Sequence, residues 1–267
     1  MLNTLISVNE DLSSRFAVWY MGQLREILDL SVHLIHVTEP EHRGRPVATG
    51  WVQKTWEDSV LLQTRTWIDR MIRAEKNHSR ILDEPEIVSG DREEILLHSM
   101  NISACGLFVE GMFHSFKPDG FLTRIRSNLY KKAPCPILMV KNKTGLSRGV
   151  VIACEDKNLE KALDTFFCIF EPSDIRPDIL ICRLDGPAKD ADRISRRIER
   201  IDTAFAQRKK NHGDVKTIAG DVAAVLPFVQ NCSLVVSPFP EKESFLENLL
   251  SLSPCPLLLG VQGPVNR

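Results

Sequence analysis

A chain of 267 residues with 43% hydrophobic and 26% charged side chains has the length of about two ordinary domains and the apolar content to give each a core. Its formal net charge of -1 excludes a general electrostatic pull towards nucleic acid or an anionic membrane. No run of apolar residues is long enough to span a bilayer. The amino terminus carries Asn3, Asn9, Glu10 and Asp11 where a signal peptide needs a basic start and an apolar core, so a cytoplasmic protein is the expectation.

In chain order, residues 2–8 read as a buried strand, and Ser13 or Ser14 is placed to cap a helix with Phe16, Tyr20, Leu24 and Leu28 on its apolar face. A second strand at 31–37 leads into a loop at 39–50 rich in Pro and Gly (Pro40, Gly44, Pro46, Gly50). A long helix then shows Val52, Trp56, Val60, Trp67 and Met71 at near-helical spacing. Residues 86–89 form a third strand, and Asp91 can cap the short helix after it, with Glu94 placed for a capping box. The fourth strand is 107–109; Phe121, Leu122, Ile125 and Leu129 stripe one last helix; Ile137–Val140 is the fifth strand.

The order then repeats. Strands are expected at 150–153, 179–182, 215–218, 234–236 and 257–259, and between them lie helices striped by Leu159, Leu163, Phe166 and Phe170, by Ile194, Ile198, Ile201 and Phe205, and by Phe245, Leu246, Leu249 and Leu250. Ala133-Pro134-Cys135-Pro136-Ile137-Leu138-Met139-Val140 returns as Ser253-Pro254-Cys255-Pro256-Leu257-Leu258-Leu259-Gly260. A Pro-Cys-Pro step cannot continue a helix, and the apolar run after it has strand length. Gly90-Asp91 returns as Gly220-Asp221, and Ser7 to Asp11 pairs with Ile152 to Asp156 at a constant offset, which sets Asn9 against Cys154. Between Val109 and Ala133 there are 23 residues, against 16 between Val236 and Ser253, so the second copy is shortened before its last helix. Helices alternating with continuous apolar strands predict parallel sheets covered on both faces. The reading is two tandem doubly wound five-stranded α/β domains, 1–142 and 149–267, joined by a linker at 143–148. A fifth strand left at a sheet margin would expose unpaired backbone groups, so the two fifth strands are expected to pair with each other.

The seven cysteines lack a Cys-x-x-Cys pair and mostly sit in or beside apolar runs, as small core residues do. His33 and His36 share a strand at odd spacing, so they face opposite ways and do not make a metal pair. No metal-ligand cluster, nucleophile elbow, P-loop or acid/base pair is visible, so no catalytic or metal residues are assigned. Glu10-Asp11 and Glu155-Asp156 fall at strand-to-helix turns, where carboxylates cap helices. Arg193, Arg196, Arg197 and Arg200, with Arg208, Lys209 and Lys210, read as a solvated basic face, or failing that a docking face for an acidic protein. Nucleic acid ranks last there, because no aromatics are interleaved for base stacking.

The order of elements, the duplication and the Ala-Pro-Cys-Pro-Ile-Leu-Met-Val stretch resemble the universal stress protein family in its two-domain form. The resemblance implies ATP or AMP binding at the carboxyl ends of the strands. It rests there on an Asp after strand one and, after strand four, on a Gly, two residues, a second Gly, nine residues and Gly-Ser or Gly-Thr opening the last helix. This chain departs from that pattern. Asn9 and Cys154 stand at the Asp positions, Gly111 matches the first Gly, His114 replaces the second, and Thr123-Arg124 or Arg124-Ile125 replaces the Gly-Ser pair. Ser237-Pro238-Phe239-Pro240 replaces the second copy's loop, which looks closed. A ligand, if one binds, is expected in the first-half crevice bounded by Asn9, Asp11, Val37, Gly111, His114 and Arg124, with Arg124 a candidate for an anion. The resemblance and its departures together imply a non-catalytic, stress-related binding or regulatory module without a cofactor. Its partner would be a small anionic ligand or a protein, with a further dimer left open. The alternatives are an ATP- or AMP-binding stress protein with slow ATP hydrolysis in its first domain, and a ligand-free interaction scaffold.

Overall fold

The computed structural model describes residues 1–39, 51–74, 85–113, 119–183 and 191–262, without the side chains of 51–58, 60, 61, 183 and 191–193. The loop expected at 39–50 therefore lies outside the described residues beyond Glu39, as do His114 and the side chains of Val52, Trp56, Val60 and Arg193. The first half supplies strands β1 (Leu2–Ser7), β2 (Leu30–Thr38), β3 (Glu86–Ser89), β4 (Leu107–Gly111) and β5 (Ile137–Val140). The second supplies β6 (Val150–Glu155), β7 (Asp178–Arg183), β8 (Val215–Ala219), β9 (Leu234–Ser237) and β10 (Leu257–Leu259). They join into one ten-stranded sheet in the order β3-β2-β1-β4-β5-β10-β9-β6-β7-β8. Neighbours are parallel except at the centre, where β5 and β10 pair antiparallel with Leu138 opposite Leu258. The expected fifth-strand pairing is thus present, and it converts two unprotected margins into the middle of a sheet.

The helices are α1 (Leu12–Leu24), α2 (Trp51–Ala74), α3 (Arg92–Ile102), α4 (Asp119–Ile125), α5 (Asn128–Lys132), α6 (Leu159–Phe170), α7 (Ala191–Gln207), α8 (Val222–Val229) and α9 (Phe245–Leu252). Because alternate strand residues point to opposite faces, the core divides by sheet face, and each share runs across both halves. On one face Ile6, Val109, Leu138, Ile152 and Leu258 meet Tyr20 and Met21 of α1 and Phe166 and Phe170 of α6. On the other Leu5, Phe108, Met139, Val235 and Leu259 meet Leu96 of α3, Leu129 of α5 and Leu246 and Leu249 of α9. Each fully buried Leu or Phe contributes about 1.5–3 kcal/mol by removal from water. No helix among the described residues is long and apolar enough to cross a membrane.

Polar ties across the centre fix the two halves in register. The Tyr20 hydroxyl donates to the Ser233 carbonyl at 3.0 Å, and Asn142 Nδ2 donates to the Pro254 carbonyl at 2.9 Å. Lys141, just past β5, is buried; its Nζ donates to the carbonyls of Leu250 and Ser253 at the C-terminus of α9, both at 2.9 Å, and lies 4.6 Å from the centre of the Phe121 ring. A cation there satisfies carbonyls that the helix itself leaves unpaired.

Two local expectations change. The single last helix of the first half is broken between α4 and α5, although its apolar stripe runs through the break, because the Ser127 hydroxyl caps α5 by accepting the Tyr130 N–H. The bond from Phe108 N to the Pro136 carbonyl recurs as Val235 N to Pro256, so these residues are equivalent and α4 fills the first half's extra length. Strand register also corrects the pairing after strand one. Ile6 stands beside Val109 and Ile152 beside Val236, which makes Val8 equivalent to Cys154 and Asn9 equivalent to Glu155. Cys154 is therefore a core residue of β6, not the counterpart of Asn9.

Candidate ligand site at the strand ends

The first turn of α1 is capped by Asp11, as expected of a carboxylate at this strand-to-helix turn, and not by Ser13 or Ser14. Asp11 is extended at the N-cap, and its Oδ1 accepts the Ser14 N–H and the Ser13 hydroxyl, each at 2.8 Å. Asn9 follows the same turn inward, its N–H donating to Ser14 Oγ at 2.8 Å. Gly111 ends β4 directly beneath this turn. A Cβ built on Gly111 would lie 2.0 Å from the Ser13 carbonyl oxygen, so the glycine is required by the close approach of α1 to the strand. Val37 is buried in the core on the face away from α1, the face on which Tyr130 also packs.

Arg124 is not an open anion receptor. Its Nε pairs with Glu110 Oε1 at 3.2 Å, and Glu110, the residue before Gly111, is 2% exposed. Arg92, at the start of α3, donates from Nη2 to Glu110 Oε2 at 2.7 Å and to Ser7 Oγ at 3.2 Å. The Tyr130 hydroxyl donates a short hydrogen bond to Glu110 Oε1. One buried carboxylate thus collects donors from α3, α4 and α5, beside the end of β1. The Glu110 carboxylate raises the Arg124 pKa against the opposing effect of burial, with Asp11 a smaller contributor. Burial first, and Glu110 second, raise the Tyr130 pKa well above its ordinary value. The structure therefore brings Asn9, Asp11, Gly111 and Arg124 together, leaves Val37 in the core, and adds Glu110, Arg92, Tyr130 and Ser7. The available signal was Glu110 itself, a carboxylate in an apolar strand that demands buried partners.

In the second half the fourth strand ends in Ser237, equivalent to Glu110 by pairing with the last strand, and its hydroxyl donates to the Pro238 carbonyl at 3.0 Å. Lys157 reaches across this edge to Glu241 at 2.7 Å. Glu243 adopts a left-handed backbone (φ 59), and Ser244 caps α9 by accepting the Glu247 N–H at 3.0 Å. These two residues open the last helix of this half, a turn and cap that the sequence reading did not assign. The donors there are already engaged: Glu247, also 2% exposed, accepts the Glu243 N–H at 2.7 Å and the Arg126 fork at 2.9 and 3.2 Å. Glu155 stands at the N-cap of a short 3-10 turn (Asp156–Asn158) without a side-chain hydrogen bond to it, and Asp156, in that turn, pairs with Arg197.

Of the basic residues expected to form a solvated face, Arg196, Arg200 and Lys209 are exposed, but Arg197 is not. Arg197 is buried on Asp156, Arg200 pairs with Glu160, and Arg208 lies 4.3 Å from the centre of the Phe167 ring, with Asp164 and Glu171 each at 3.9 Å. Acids along α6 and the turns at its two ends thus oppose the bases of α7. Among the described residues, an open groove of about 430 Å³ lies between α6 and α7, floored by Leu159 and Leu163. Another of about 450 Å³ lies between β3 and α3, beside Val88 and His98. Neither is lined by Asn9, Asp11, Glu110, Gly111 or Arg124.

The chain is similar in fold to a universal stress protein from Archaeoglobus fulgidus DSM 4304, with a TM-score of 0.71 at 13% sequence identity and 98% of each chain covered. It is also similar to a functionally unknown protein from Pseudomonas aeruginosa PAO1, with a TM-score of 0.54 at 13% identity, covering 97% of this chain and 92% of that one. No family model and no curated protein matches the sequence. At such identities the likeness establishes the fold, a largely parallel α/β sheet with helices on both faces.

Proposed function

We propose that the chain is a tandem protein of the universal stress type that works as a non-catalytic, stress-related binding or regulatory module in the cytoplasm. Residues 1–142 and 149–267 form its two units. The observation that carries this reading is the Glu110 carboxylate, which engages Arg92, Arg124 and Tyr130 at the strand ends where an open α/β sheet offers its ligand crevice. Gly111 supports it: the space in front of its Cα is already filled by the backbone of Ser13, so this glycine serves the packing of α1 on β4. Glu247 occupies the N-terminus of α9 in the second half in the same way.

The test is thermal unfolding of the intact protein with Mg-ATP, AMP and adenosine. A nucleotide at a hundredfold excess over its dissociation constant stabilises by about 2.7 kcal/mol, which is several degrees for a protein of this size. The expected result is no shift with any of the three and no phosphate release from ATP. A clear shift at micromolar ATP would replace this reading with that of a nucleotide-binding stress protein.

A further inference from the structure

Arg92, Arg124 and Tyr130 come from three different helices, yet all three bond one carboxylate that has almost no contact with water, and Arg92 also donates to the hydroxyl of Ser7 on the neighbouring strand. Two guanidinium groups around a single carboxylate leave a surplus positive charge, offset from a distance by Asp11. The arginine fork matches phosphate oxygens as well as carboxylate oxygens. The donors are also the wetter side of the cluster: the Arg124 side chain is 34% exposed and Arg92 15%, against 3% for Glu110. An anion from solution would meet the arginines first.

We propose that Arg92, Arg124, Tyr130 and Ser7 form a cradle for a phosphate-class oxyanion that Glu110 fills from within, so that loss of this one carboxylate exchanges an internal anion for an external one. The second half supplies the control, because the equivalent strand position is held by Ser237, fully buried and paired with the last strand as Glu110 is, although the pairing that Glu110 also makes with β1 has no counterpart there. The fold accepts a small neutral side chain there. The cluster rests on side-chain geometry alone and does not depend on the stress-protein reading.

The experiment compares the intact wild type, Glu110→Ser and Glu110→Gln, each alone and combined with Arg92→Gln. Unfolding temperature is followed in inorganic phosphate against sodium chloride of matched ionic strength, and binding by phosphorus NMR. Both Glu110 variants should show saturable stabilisation by phosphate, with roughly tenfold tighter binding than wild type, and Arg92→Gln should remove it. Recovery of folded protein by phosphate, if Glu110→Ser is unfolded in chloride, equally supports the cradle. The proposal is overturned if Glu110→Gln folds and responds to phosphate no more than wild type does, or if the response survives Arg92→Gln. Wild-type binding of ATP would overturn the proposed function but leave these comparisons intact.

Discussion

The two halves share a strand order and pair through the same central strands, yet they finish their fourth strands in opposite ways. Glu110 draws two arginines and a tyrosine into the first half, whereas Ser237 bonds its own neighbour's carbonyl and needs nothing more. Repetition of fold therefore does not carry repetition of site. The sheet depends on apolar alternation, which many residues satisfy, while the polar cluster depends on four particular side chains arriving together.

The largest effect expected from breaking this contrast is at those two positions. Glu110→Ala leaves two partly buried guanidinium groups and a phenol without their acceptor, and removal of one partner from a buried ion pair costs about 3–5 kcal/mol. Ser237→Ala removes one local hydrogen bond and should cost about 1 kcal/mol. Urea unfolding of both variants checks the ratio; equal losses would mean that the Glu110 cluster adds nothing beyond burial.

Glycines at the ends of the strands give a second contrast. Gly111→Ala drives a Cβ against the backbone of Ser13, which no rotamer change can relieve, and should cost about 3 kcal/mol. Gly260 is also crowded, since a Cβ there would lie 2.4 Å from Thr165 Oγ1, but that atom belongs to a side chain, which can turn by giving up its hydrogen bond to the Lys161 carbonyl. Gly260→Ala should cost about 1 kcal/mol. The midpoint of denaturant unfolding separates the two, and a harmless Gly111→Ala would show that α1 stands further from β4 than the geometry states.

What was legible in the sequence is what is local or periodic. The Pro-Cys-Pro strands, the Gly-Asp turns and the striped helices each declare themselves within a few residues, so the fold and the β5–β10 pairing followed from them. Glu110 did not, because its partners Arg92, Arg124 and Tyr130 lie on other elements and only the folded sheet gathers them. The burial of Arg197 escaped for the same reason: its partner Asp156 sits in the turn before α6, beyond any local pattern. The slip that matched Asn9 to Cys154 came from counting at a constant offset across a turn, and one residue is enough to exchange a core position for a site position.

Lys141 sharpens the comparison through pH, because Val261 holds its place after β10. Burial pushes the Lys141 ammonium down to about 7 from an ordinary value of 10.5, against a small opposing influence of Cys255. Between these two values the unfolded chain keeps a proton that the folded protein has released, so stability rises with pH across that window; the penalty for burying the charge is fully present below about 7. Lys141→Met removes the titration. The stability of wild type relative to this variant should therefore rise by about 1.4 kcal/mol per pH unit between 7 and 9, with other titrating groups cancelling in the difference. A difference that stays flat with pH would mean that the carbonyls of Leu250 and Ser253 hold the ammonium charged throughout.

The smallest expected effect concerns the place where the halves agree best. Asp91 Oδ1 accepts the Glu94 N–H at 2.9 Å, and Asp221 Oδ1 accepts the Ala224 N–H at 3.0 Å, each after a glycine with positive φ, 150 at Gly90 and 145 at Gly220. The glycine lets the chain turn from strand to helix, and the aspartate satisfies a donor that the first helical turn leaves free. Replacing such a cap by alanine costs about 1 kcal/mol. Asp91→Ala and Asp221→Ala should therefore lower stability by the same amount to within about 0.5 kcal/mol, with the double variant additive because the caps share no partners. Unequal losses would reveal a second role for one of them. Asp91 is the one to watch, since it precedes Arg92: a loss larger at Asp91 that disappears when Glu110 is also replaced would show that this cap positions Arg92 on the buried carboxylate.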